Sequence, residues 1–244
     1  MRQSLRNLLF VAMVCAPLMA SASERWTGNQ TALVDIGADG RVESAKLVRS
    51  TLSQAMQDDI VKRISRFEFE PARIDGRAVT AQTHLWIQLA IEPQGEQLAV
   101  TVADASVSLG YEKVVPPRFP PTQLERYEGA SVMVEVNYDS DGKVTQAEVI
   151  SAKPDLRVFR NAAQKAALEW VFAPEKIDGK GVAGSALVPV NFEFEGNHTG
   201  EINFPDGGRL HVRRADDTEP SAAPKEKLLA SRVQLRSLGS EPQS

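Results

Sequence analysis

A single cysteine, three histidines and an aromatic share of only 6% leave this 244-residue chain short of the side chains that hold metals or build oxidised frameworks. Cys15 lies in an apolar stretch near the N-terminus, and His84, His198 and His211 are scattered, so the spacing fits neither a thiolate zinc site nor a disulfide scaffold. Basic excess is lacking too. Against 32 Asp and Glu stand 28 Lys and Arg, a net charge of −4, which supplies no field for a nucleic-acid backbone. No Gly-x-Ser-x-Gly elbow, phosphate loop, dinucleotide fingerprint or His-Glu-x-x-His helix occurs. The chain is therefore read as a non-enzyme, with no catalytic residue, metal or cofactor assigned and no nucleic acid among its partners. Asp-Gly pairs at 39, 75, 141, 178 and 206 lack the alternating oxygen ligands of a calcium loop and read as turns.

What is present begins with a leader. Arg2 and Arg6 precede an apolar stretch from Leu8 to Ala20, and Ala20-Ser21-Ala22 is the small-x-small pattern of a signal-peptidase site. The stretch is shorter than the roughly 20 residues of a membrane-spanning helix and contains Pro17. Cleavage near Ala22 is expected, leaving a periplasmic chain without cysteine. The alternative is a retained leader and an inner-membrane location with periplasmic domains.

Beyond the leader the chain repeats itself. Residues 31–92 return at 131–195 with a shift of 102 and then 103 residues. Val34, Asp39, Gly40, Val42 and Ala45 become Val136, Asp141, Gly142, Val144 and Ala147, and Lys62, Phe69, Pro71, Asp75 and Gly76 become Lys165, Phe172, Pro174, Asp178 and Gly179. Each copy opens with an alternating apolar run, turns at Asp-Gly and continues into a second β-rich run, the pattern of a hairpin. A helix follows, because Met56, Ile60, Ile64 and Phe67, or Phe159, Ala163, Ala167 and Trp170, fall on one helical stripe. A last strand alternates Leu85, Ile87, Leu89, Ile91 or Val188, Val190, Phe192, Phe194. The expected fold class is α+β: two tandem small β-β-α-β domains, each a three-stranded antiparallel sheet packed by one helix. The boundaries are a signal peptide at 1–22, a degenerate domain at 23–112, a fuller domain at 113–196 and a flexible, disordered C-terminal tail at 197–244. Residues 98–111 alternate well enough for an extra strand, in the first domain's sheet or in the link, and INFPDGGRLHV could form a small hairpin.

The second copy resembles the C-terminal domain of the TonB family, the periplasmic end of a bacterial energy transducer. The likeness is carried by PPRFPP, EGASVMVEVNYDSDGKVTQAEVISAKP, FRNAAQKAALEWVFAP and VPVNFEFEG. The first copy resembles the same domain in TALVDIGADGRVESAKLV and FEFEPARIDG, but without the proline-aromatic-proline segment. Together they cover roughly 31–92 and 116–196.

The resemblance implies a protein-interaction module that takes an extended segment of an envelope protein, such as a TonB-dependent outer-membrane transporter, along the edge of its last strand. Unpaired edge amides and carbonyls supply the affinity of such strand addition, and side-chain pockets its selectivity. The candidate partner-binding residues are Phe119, Leu187, Val188, Val190, Asn191, Phe192 and Phe194. Pro189 removes one donor from that strand and suits an edge only where its missing N–H faces away from a partner. In the first copy Trp86 lies on the outer face if Leu85, Ile87 and Leu89 face inward, as a contact or packed under residues 98–111; His84 reads as a solvated strand residue. Residues 23–30 reach at most about 29 Å at roughly 3.6 Å each, too short for the spacer of a transducer. A soluble relative is thus expected. An inner-membrane-anchored transducer for transmembrane transport, and a structural homodimer or homo-oligomer pairing through sheet edges, are the alternatives.

Overall fold

The computed structural model describes residues 25–94, 97–126, 128–193, 200–203, 209–214, 227–228 and 231–239. The leader at 1–22 and Phe194 lie outside the described residues. The first unit opens with β1 (Trp26–Ile36) and β2 (Val42–Leu47), in which Ala32, Val34 and Ile36 are buried on one face. Their turn needs a glycine. Gly40 has a φ of +84°, and a Cβ there would stand 2.3 Å from the carbonyl oxygen of Phe69. Helix α1 (Gln54–Ile64) is capped by the Ser53 hydroxyl, which accepts from the Met56 amide, and buries Ile60 and Ile64 on the sheet. Phe67 follows into the same core.

Short strands β3 (Glu68–Glu70), β4 (Ala72–Ile74) and β5 (Arg77–Val79) come next. The β4–β5 turn places both Asp75 and Gly76 at positive φ, the geometry that suits a tight two-residue hairpin. Strand β6 (Ala81–Gln94) then pairs with β1 from Ile36↔Ala81 to Trp26↔Ile91. Strand β7 (Gln97–Ser108) pairs with the far edge of β6, so residues 98–108 complete the first unit's sheet in the order β2-β1-β6-β7. This part of the sheet is four-stranded, with β7 supplying the extra strand beside the three of the β-β-α-β pattern.

Strand β8 (Gly110–Lys113) belongs to the second unit, because it pairs with β11 (Val171–Ala173); the expected boundary at 112/113 falls inside it. After α2 (Pro121–Glu125), β9 (Ala130–Tyr138) and β10 (Val144–Lys153) form a hairpin covered by α3 (Arg157–Ala167). The helix is tied to β10 by Arg160 donating to Val149 O and Gln164 donating to Ala147 O, each at 2.8 Å. The Gly142 turn copies the Gly40 turn: φ is +81°, and an added Cβ would stand 1.9 Å from the oxygen of Phe172. Strands β12 (Lys176–Ile177) and β13 (Lys180–Gly181) flank a second Asp-Gly turn, and β14 (Gly184–Phe192) closes the sheet beside β9. Register repeats between units: Val34 faces Ala45 and Thr83, and Val136 faces Ala147 and Ala186.

Two cores result, one under each helix, but the units interlock. Strand β12 pairs with the start of β6, and Ile177 is buried in the first core. The C-terminal region departs furthest from expectation. Strands β15 (Gly200–Asn203) and β16 (Arg209–Arg214) form the hairpin read from INFPDGGRLHV, and β16 pairs with β1 at Trp26–Gly28. Strand β17 (Lys227–Leu228) pairs with β14, and β18 (Gln234–Ser237) pairs with β3. The small hairpin is the expected one, but the reading of the rest of 197–244 as a flexible, disordered tail fails at β17 and β18. Its charge and proline content, averaged over the region, hid Leu210 and Val233, which are buried in the first core. Among the described residues no helix is long and apolar enough to cross a membrane.

Candidate partner-binding edge

Strand β14 alternates cleanly. Ala186, Val188, Val190 and Phe192 are buried in the second core, while Leu187, Pro189 and Asn191 are half-buried on the opposite face. The candidate residues thus divide. Val188, Val190 and Phe192 can offer a partner only backbone, whereas Leu187 and Asn191 can offer side chains. Asn191 accepts from the Ser131 hydroxyl at 2.9 Å, which fixes its amide beside the β9 neighbour. Along one edge β14 is paired with β9 from Gly184↔Tyr138 to Phe192↔Ala130. On the other, β17 faces only Ala186 and Leu187; among the described residues Val188–Phe192 have no strand partner there.

Phe119 holds the proline-rich lead-in against the open end of this strand. Its ring meets Phe192 edge-on at 5.6 Å and Phe159 at 5.9 Å, and those two lie 4.8 Å apart. Further back, the Trp170 indole N–H donates to Val115 O at 2.8 Å, so the lead-in is pinned at two points.

Trp86 stands apart from this edge. It is half-buried on β6 between Thr31 and Ser106, and because β7 occupies that edge Trp86 has only its ring face to offer. His84 is not the solvated residue expected: it is buried, with Gly110 packed so closely that a Cβ there would stand 2.3 Å from the ring. Burial first, then the charges of Lys176 and Lys46, hold its pKa down at about 4.

At the junction lies a residue that the sequence reading missed. Glu175 is buried, and its carboxylate accepts from Thr83 Oγ1 of the first unit at 3.2 Å, from Ser231 Oγ at 2.6 Å and from the Arg232 amide at 3.1 Å. Burial, then the charge of Glu175, pushes the Tyr138 phenol up to about 12. A signal was available in the repeat: the position after the shared proline is Ala72 in one copy and Glu175 in the other. Asp35 lies on the far face of the first sheet; burial raises its pKa, but hydrogen bonds from Ser44 and Gln82, aided by Lys46 and Lys176, outweigh it and leave the carboxyl below its ordinary value. Among the described residues no three His, Cys, Asp or Glu side chains gather where a metal ion could sit.

Residues 115–194 match the family described as Gram-negative bacterial TonB protein C-terminal. Two curated relatives, each called Protein TonB, come from Xanthomonas campestris pv. campestris strains B100 and ATCC 33913. Each is 33% identical over 88 residues, 36% of this chain and 39% of the relative. The chain thus spans about two fifths of the length of the curated relatives it matches.

Proposed function

We propose that the protein is a periplasmic interaction module that takes an extended segment of an envelope or outer-membrane transport protein by strand addition to β14, a reading supported by the match of residues 115–194 to the TonB C-terminal family. One observation carries the reading: within that region, Val188–Phe192 present a run of edge backbone with no described strand partner, beside an aromatic cluster in which Phe119 packs on Phe192. Edge groups of this kind give affinity to any extended chain, and the half-buried Leu187 and Asn191 give side-chain selection. The first unit is a degenerate copy of the same domain whose matching edge is already filled by β7. The repeated register and the twin glycine turns support that descent.

The test is in vivo photo-crosslinking with the reactive group at Leu187, in the parent and with Asn191→Pro. Asn191 is half-buried on the face away from the core, so its replacement removes a backbone N–H from β14 without emptying the core. Crosslinks to outer-membrane proteins that vanish in the proline variant, with circular dichroism unchanged, are the expected result; crosslinks indifferent to it sink the reading. Intact mass from the native envelope checks location, with a start at Ser23 in the soluble periplasmic fraction expected and a retained leader favouring the anchored transducer.

A further inference from the structure

We propose that the chain carries its own occupant for the β14 edge: β17 (Lys227–Leu228) and the anchor at residues 231–237 act as a strap whose first strand must leave before a partner can pair along the whole of β14. The proposal rests on the strand-addition reading given above.

The two ends of the strap are unequal. At β14 it makes only two register pairs, Ala186↔Leu228 and Leu187↔Lys227. Further on it is held firmly. Ser231 and the Arg232 amide donate to the buried Glu175 carboxylate, Val233 is 1% exposed in the first core, and Leu235 pairs with Phe69. A strand of two residues is too short to be stable alone. Tethered two residues from its anchor, however, it meets β14 at a high effective concentration. A partner running the length of β14 makes more pairs than the strap and can displace it, at an apparent affinity lowered by the fraction of edges that stand open. The first unit displays the closed extreme, since β7 pairs with β6 from His84 to Gln94. The anchor therefore sets how readily β14 opens, and partner binding in turn frees residues 227–228.

The test uses the full chain and a labelled synthetic peptide of its own residues 224–232, PKEKLLASR, read by fluorescence anisotropy. Leu228→Pro blocks the strap's pairing; Ser231→Ala removes one anchor and leaves both strands intact; paired Leu187→Cys and Lys227→Cys close the strap by oxidation. Expected are binding at least tenfold tighter for Leu228→Pro than for the parent, a smaller gain for Ser231→Ala, and none for the oxidised pair until it is reduced. Equal binding by the parent, Leu228→Pro and Ser231→Ala overturns the strap. Crosslinking to envelope proteins separates the two ideas: crosslinks insensitive to Asn191→Pro remove strand addition even where the peptide responds to the strap. Crosslinks lost in Asn191→Pro, with a peptide indifferent to the strap variants, remove the strap alone.

Discussion

Glu175 Oε1 and Ser231 Oγ lie 2.6 Å apart although 56 residues separate them in sequence. With Thr83 on a third side, one carboxylate joins the first unit, the second unit and the C-terminal segment. Glu175→Ala leaves these donors facing a void, and a loss of about 3 kcal/mol is expected, by the cost of orphaned buried polar groups. Glu175→Gln keeps the shape and loses less. Urea midpoints measure both, and limited proteolysis should show cleavage near residues 227–237 before the rest of the chain opens.

His84 makes stability depend on acid. Its folded pKa of about 4 lies below the ordinary 6.5, so the unfolded chain takes up the proton first. The stabilisation is whole above pH 6.5 and drains as pH falls towards about 4. Complete loss amounts to about 3 kcal/mol. A series of urea midpoints from pH 7.5 to 4.5 should fall in the parent and fall less in His84→Gln; matching slopes would exclude the buried imidazole as the cause.

Turn glycines that look alike in sequence should respond differently to alanine. At Gly179, φ is +75° and no atom lies within 4 Å of an added Cβ, so Gly179→Ala meets only the left-handed backbone penalty of about 1–2 kcal/mol. At Gly142 the same change drives a methyl into the Phe172 carbonyl and must break the bond from the Phe172 amide to the Gly142 oxygen. A melting-temperature loss for Gly142→Ala at least twice that for Gly179→Ala is expected by calorimetry.

Phe119→Ala removes the ring that bridges Phe159 and Phe192. Deleting a half-buried phenyl group should cost about 2–3 kcal/mol, below the range for full burial. Amide exchange should rise at Asn191 and Phe192 more than at Ala186, which is far from the ring along the strand. Uniform exchange along β14 would show that Phe119 does not order its open end.

Local features were readable in the chain alone. The Asp-Gly pairs at 75 and 178 carry their own backbone geometry, and Ile60, Ile64, Phe159 and Ala163 fall on stripes that a helix can satisfy in only one way. The rest depended on partners distant in sequence. Nothing near residues 97–108 says which strand edge they will cover, and nothing near Val233 says that a lone apolar residue amid charges will find a core. His84 misled because alternation sets its face of the sheet but not what covers that face. Glu175 needed the comparison of one copy with the other.

One strand sets the order of maturation. The first three residues of β1 are paired with β16 and the last five with β2, while β3 waits for β18. During synthesis β1 therefore cannot finish its pairing until β16, made more than 170 residues after it, has emerged. Closing such long loops is slow and entropically costly. The first unit should thus stay incomplete while residues 115–194, whose strands pair mainly among themselves, fold ahead of it.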